Sequence, residues 1–192
     1  MLKYLWWLNL KIISGKYKGR TLKGFDIRGT RPTMDRVKES VFASIQDYVK
    51  DSVVLDLYAG TGNLAIEAIS NGAKYAYLVD INKVAINTIK DNVKMLNIDN
   101  VNIIQGDASK TLLSLINDNI TFDIIFLDPP YNTNELDKIL SIINDNMDIL
   151  SDDGLIICET EIDINYDQYN NLLIYKAKKY GSKTVNILKI NR

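Results

Sequence analysis

From Val53 onward the chain alternates short apolar, β-branched runs with stretches of helical periodicity, and this alternation constrains its fold more than any other feature. The strand-like runs lie at 53–57, 75–79, 101–105, 122–127 and 155–159, with helical stretches at 64–70, 83–96, 109–116 and 135–150. Parallel neighbours need a crossover, so this repetition predicts an α/β, doubly wound, mostly parallel sheet covered by helices. Within 83–96, Val84, Ile86, Ile89, Val93 and Leu96 recur near the helical period, which marks a core-facing stripe. After Glu159 the pattern changes to two strand-like runs, 172–180 and 184–190, joined by Gly181-Ser182-Lys183. So short a connection predicts an antiparallel C-terminal hairpin. Upstream, Val37, Val41, Ile45 and Val49 are spaced four apart after Arg31-Pro32-Thr33, which predicts an amphipathic helix.

Composition narrows the chemistry. A chain of 192 residues fits one domain with an ordinary core. It contains no histidine, which removes Ser/His/Asp triads, Cys/His pairs and histidine-based zinc sites. Catalysis is left to carboxylates, backbone groups or a cofactor, and no metal is expected. The single cysteine, Cys158, forms no internal disulfide and reads as a buried core thiol. With no secretory leader evident, a cytoplasmic location is expected. The apolar opening at 1–10 is far shorter than the ~20 residues of a membrane span, so no membrane association is expected. Net charge is only -1, but its distribution is uneven. Up to Lys50, basic residues clearly outnumber Asp26, Asp35, Glu39 and Asp47, a polarity suited to an edge facing phosphates. The expected organisation is an extension at 1–10, a basic segment and helix at 11–50, and a core at 51–192.

Three motifs at predicted strand ends carry the chemistry. Asp56-Leu57-Tyr58-Ala59-Gly60-Thr61-Gly62 runs from a strand through a glycine turn into a helix. Gly60 and Gly62 let a ligand approach the backbone, and the helix start offers free N–H groups. Taken alone the turn is ambiguous, since a dinucleotide site would look the same. Asp80 follows at the distance from which a carboxylate reaches ribose hydroxyls, and Asp107 can accept from an adenine amine. The third motif, Asp128-Pro129-Pro130-Tyr131, holds two of the three prolines in the chain. Proline stiffens the loop and removes donors, leaving a pocket rich in acceptors. The Asp128 carboxylate and the Pro129 carbonyl can each take one hydrogen of an amine, while Tyr131 stacks on the base. With both hydrogens held, the nitrogen lone pair turns toward an electrophile.

Together these residues resemble the class I S-adenosylmethionine methyltransferases, in which Asp/Asn-Pro-Pro-Tyr marks enzymes acting on planar amino groups. Lys11-Ile12-Ile13-Ser14-Gly15-Lys16-Tyr17-Lys18-Gly19-Arg20, followed by Arg31-Pro32-Thr33-Met34-Asp35-Arg36-Val37-Lys38-Glu39-Ser40-Val41-Phe42, resembles the RsmD family of 16S rRNA guanine-N2 methyltransferases. The resemblance runs from Lys11 to the C-terminus. It implies a Rossmann-like sheet of seven strands ending in the hairpin, and S-adenosylmethionine as cofactor with S-adenosylhomocysteine as product. It implies a partner in 16S rRNA of the small ribosomal subunit or an assembly intermediate, methylated at guanine 966 in the family's nucleotide numbering. The cofactor residues implied are Asp56, Tyr58, Gly60, Gly62, Asp80, Ile81, Asp107 and Ala108, with Asp128, Pro129, Pro130 and Tyr131 at the amine. Lys16, Lys18, Arg20, Arg31, Arg36 and Lys38 are expected at RNA phosphates, in a protein expected to be monomeric. Leu10 stands where the family commonly has its first methionine, so translation is expected to start there, leaving 1–9 outside the native protein. Other readings of the same motifs are a DNA adenine-N6 methyltransferase, a nicotinamide-dependent dehydrogenase and a non-catalytic RNA-binding module.

Overall fold

A computed structural model describes residues 10–24, 35–130, 134–161 and 164–191. Helix α1 (Asp35–Val49) precedes the strand–helix alternation: β1 (Val53–Asp56), α2 (Asn63–Ser70), β2 (Tyr75–Asp80), α3 (Lys83–Leu96), β3 (Val101–Gln105), α4 (Ala108–Asn117), β4 (Phe122–Leu127), α5 (Glu135–Asp145) and β5 (Leu150–Thr160). The chain closes with β6 (Leu172–Tyr180) and β7 (Lys183–Ile190). The seven strands form one sheet in the order β3-β2-β1-β4-β5-β7-β6. Strands β1 to β5 pair in parallel, whereas β7 runs antiparallel to both β5 and β6. The doubly wound sheet and the C-terminal hairpin both match the reading of the sequence.

Side chains alternate across each strand, so the sheet has two apolar faces and a core on each. On one face Val54, Leu78, Ile124, Phe126, Ile157 and Ile187 pack under α1, α2 and α3. On the other, Leu55, Val79, Ile125, Leu127, Ile156, Cys158 and Leu188 pack under α4 and α5. Phe42 of α1 meets Phe126 of β4 with ring centroids 5.9 Å apart. Cys158 is buried, and burial pushes its thiol pKa up, as suits a core thiol.

Two boundaries differ from expectation. The helix expected over 135–150 ends at Asp145, because Asn146 leaves helical backbone while its Nδ2 donates to the Ile142 carbonyl at 2.8 Å. A 3-10 turn, Met147–Ile149, then feeds β5, which begins at Leu150 opposite Phe122 rather than at 155. An Asn side chain that competes for backbone groups is a common helix terminator, whereas the apolar spacing alone runs on into Ile149 and Leu150.

The N-terminal segment doubles back on itself. Lys11 bridges Thr21, Ile12 N–H donates to the Arg20 carbonyl at 3.0 Å, and Leu10, Ile12 and Leu22 are buried. Its turn docks on the end of α2: at Gly15 (φ +76°) a Cβ would lie 1.9 Å from the Ser70 carbonyl oxygen, so no side chain fits. Among the described residues, no helix is long and apolar enough to cross a membrane.

Candidate active site

Sheet order reverses direction between β1 and β4, and open α/β sheets bind ligands outside the carboxyl ends of strands at such a point. Asp56 ends β1, Asp80 ends β2 and Asp128 follows β4 directly. Their charges act on one another: the Asp56 carboxyl is buried, and its pKa is pushed up to about 8. Burial is the largest cause and the neighbouring Asp128 charge the next, with Asp80 adding to it. Backbone N–H groups of Ala65 and Tyr58 offset part of the shift. One Asp56 oxygen, Oδ1, is buried without a hydrogen-bond partner. Such an atom costs free energy unless a donor reaches it, so a cationic donor group in this crevice would be favoured.

The glycine turn sits beside these carboxylates, and its two glycines do different work. A Cβ on Gly62 (φ +81°) would meet Ile66 Cδ1 and Leu78 Cδ2 at 3.1 Å, so this glycine lets α2 pack close to the sheet. A Cβ on Gly60 (φ +54°) would meet nothing nearer than the Tyr58 carbonyl at 4.0 Å. Gly60 therefore faces open space wide enough for a ligand to approach the backbone. The turn is tied to β2, with Gly60 N–H donating to Asp80 Oδ2 at 2.9 Å and Asn82 N–H to Oδ1 at 2.8 Å. A carboxylate has about four lone-pair sites, so Asp80 keeps acceptor capacity for hydroxyl groups. Burial raises the Asp80 pKa, and those two N–H bonds oppose the rise.

Around the rim, Ile81 is 69% exposed, an apolar surface beside Asp80. Asp107 caps α4 by accepting from Lys110 N–H at 3.0 Å, which also brings Ala108 to the helix start. The Tyr58 hydroxyl donates to Glu135 at 3.3 Å, and its pKa is raised by burial and by the Glu135 and Asp107 charges. Pro129 is buried and Pro130 exposed at the mouth of β4. Of the residues read from sequence, Tyr131 and Arg31 lie outside the described residues.

Lys38 requires a correction. Expected at RNA phosphates, it is fully buried and paired with Glu67, also fully buried, at 2.9 Å. Its ammonium also donates to the Lys11 carbonyl at 2.6 Å and to Asn63 Oδ1 at 2.7 Å. Glu67 in turn accepts from Ile13 N–H, Ser14 N–H and the Ser14 hydroxyl. Lys38 thus anchors the N-terminal segment to α2 just beyond Gly62, whereas Lys16, Lys18, Arg20 and Arg36 are exposed.

Asn63 and Glu67, which continue the glycine motif into its helix, and Asn92 and Glu135 have roles that the sequence alone did not assign. Asn92 is buried and spans the Lys23 backbone and the Thr61 carbonyl, the latter at 3.0 Å, so α3 holds the glycine turn against the N-terminal segment. The signal for Asn92 was a polar residue on the apolar stripe between Ile89 and Val93.

The doubly wound sheet with an antiparallel β7, and acids at the strand ends beside its switch point, defines a class I methyltransferase scaffold. Residues 10–189 match the family model described as Conserved hypothetical protein 95, and the chain belongs to that family. Among its relatives, the provisionally named rRNA methyltransferase YlbH of Bacillus subtilis is 37% identical over 182 residues, covering 94% of this chain and 98% of the relative. Ribosomal RNA small subunit methyltransferase D of Haemophilus influenzae is 33% identical, covering 90% of this chain and 89% of the relative. The solved structure of the yhhF protein of Escherichia coli superposes with a TM-score of 0.84 at 28% identity, covering 94% of this chain and 97% of that one.

Proposed function

We propose that this protein methylates the exocyclic N2 amine of a guanine in small-subunit rRNA, the position-966 type, using S-adenosylmethionine. One observation carries the reading: Asp56, Asp80 and Asp128 stand together at the carboxyl ends of β1, β2 and β4 beside the open side of Gly60, and Asp56 Oδ1 has no donor. These residues fit the cofactor. Its ammonium end suits the Asp56 oxygen, and its ribose hydroxyls suit the remaining acceptor sites of Asp80. Ile81 and the start of α4 at Asp107 and Ala108 would border its base. The relatives named for rRNA and for the small subunit supply the substrate class.

When bound, S-adenosylmethionine supplies a methyl group on a positively charged sulfur. Asp128 and the Pro129 carbonyl would accept the two amine hydrogens and Tyr131 would stack on the guanine, which would turn the nitrogen lone pair out of conjugation with the ring. The nitrogen would gain the methyl group in place of one hydrogen, and S-adenosylhomocysteine would be left. The proton lost from nitrogen passes to Asp128 or water. Nothing in this scheme needs histidine, in keeping with a chain that has none. The enzyme would act in the cytoplasm as a monomer.

The test is transfer of labelled methyl groups to unmodified small-subunit particles, free 16S rRNA and duplex DNA, with the modified nucleoside mapped. N2-methylguanosine at one rRNA position is expected. Methyladenine, or labelling of DNA alone, would overturn the substrate assignment and leave the amine chemistry standing.

A further inference from the structure

The hairpin of β6 and β7 carries Lys176, Lys178, Lys179, Lys183 and Lys189 and no acidic residue. Strand β6 is the outer edge of the sheet, and Lys176, Lys178 and Lys179 are all exposed. The partners of these side chains are unusual for surface lysines. Lys176 donates to the Ser44 hydroxyl at 2.9 Å and Lys178 to the Ser40 hydroxyl at 3.1 Å, and the Tyr180 hydroxyl bonds Ser40 as well. Lys189 donates to the Tyr48 hydroxyl at 3.2 Å and stacks over the rings of Tyr48 and Tyr175, at 5.0 and 4.6 Å. The partners of Lys176, Lys178 and Lys189 are neutral, so they orient these ammonium groups without cancelling their charge, whereas Lys183 is paired with Glu159 of β5 and adds no uncompensated charge.

Two regular elements set the spacing. Arg36, Ser40, Ser44 and Tyr48 recur every four residues along α1, a rise of about 6 Å each. Lys176, Lys178 and Tyr180 recur every two along β6, about 6.6 Å each. The two stripes meet at two serines, Ser44 bonded by Lys176 and Ser40 by both Lys178 and Tyr180. A register shift between Ile174 and Lys176 breaks the ladder at Tyr175, which is 51% exposed beside Ile174 at 47%. Cations interleaved with an exposed aromatic ring are the surface chemistry of single-stranded nucleic-acid binding. The ridge is also well placed. Thr160 of β5 pairs with Thr184, and Tyr180 with Lys183, so the lysine-rich end of the hairpin lies at the sheet edge where Asp56 and Asp128 open.

We propose that β6, β7 and the facing stripe of α1 form a phosphate-binding ridge for the RNA strand that flanks the methylated base. It rests on the reading of RNA as substrate and adds a second contact surface to the N-terminal cations Lys16, Lys18 and Arg20. The competing use of edge lysines is to block strand-to-strand aggregation. That use requires only projecting charge, not lysines fixed on the hydroxyls of a neighbouring helix.

The experiment compares the full-length protein with the K176Q/K178Q variant, using fluorescence anisotropy with an unmodified 16S rRNA fragment across a salt series. Each lost phosphate contact lowers the slope of log affinity against log salt by about 0.7 on single strands, so a reduction of about 1.4 is expected. A fall in affinity of tenfold or more is expected at low salt, with S-adenosylhomocysteine binding unchanged. Lysine acetylation of the wild-type protein, with and without the RNA, is the companion measurement and does not depend on the variant folding. Lys176 and Lys178 are expected to be protected. Unchanged RNA affinity and slope, self-association of the variant without loss of RNA binding, or equal acetylation in both conditions would each overturn the ridge. A wild-type protein that neither binds nor methylates RNA would instead overturn the underlying substrate reading.

Discussion

Asp56 is the residue at which structure and chemistry are most tightly joined. Its carboxyl is buried between two other acids and titrates near 8 rather than 3.8. The folded pKa is raised, so the folded protein holds a proton that the unfolded chain releases from about pH 4 upward. The stability this provides is fully present below about pH 4 and is lost as pH rises through about 8. Replacement by Asn keeps the neutral shape and removes the titration. Thermal unfolding of Asp56→Asn is therefore expected to show a flatter profile between pH 4 and 8 than wild type, and an unchanged slope would contradict the burial argument. Ligand binding follows the same logic. A cofactor ammonium at Oδ1 favours the ionised acid, so affinity for S-adenosylhomocysteine should rise toward pH 8 in the wild type and lose that dependence in the variant. The presence of these acids was legible in the sequence, since each stands at a predicted strand end beside glycine or proline. The burial of Asp56 and its coupling to Asp128 were not, because they depend on β1 and β4 lying side by side across a long crossover.

At the scale of elements, the buried Lys38–Glu67 pair fastens three pieces together: α1, α2 and the doubled-back N-terminal segment. Removing the lysine leaves a carboxylate without its counter-charge in a dry interior, which typically costs about 3–5 kcal/mol. Lys38→Met is expected to lose that much in chemical denaturation, and a loss below about 1 kcal/mol would show that water reaches Glu67. The sequence carried a hint of this. Lys38 lies among Val37, Val41, Phe42 and Ile45 on the stripe that α1 buries, so helical periodicity places it inside. Counting it with the basic segment hid that position, because net charge is a sum that ignores which face a residue occupies. The end of α5 was misread for a related reason. Apolar spacing continues past Asn146, and only the backbone competition of that asparagine stops the helix.

For the whole molecule, strand order turns scattered motifs into a site. Residues 56, 80 and 128 are distant along the chain, and the placement of β1 between β2 and β4 gathers them at one sheet edge. The alternation of strands and helices made that architecture readable, and the closing hairpin announced itself through its glycine turn. Its lysines drew no notice in sequence, since a strand edge rich in lysine acquires meaning only once α1 is seen across from it. The central claim is that Asp128 acts on the acceptor amine while the Gly60 turn and Asp56 hold the cofactor. The most direct measurement is single-turnover methyl transfer by Asp128→Ala, with S-adenosylhomocysteine affinity determined on the same preparation. Transfer slowed by at least about 10²-fold, with affinity within about threefold of wild type, is the predicted result. Transfer at the wild-type rate, or cofactor affinity and rate lost in equal proportion, would contradict it.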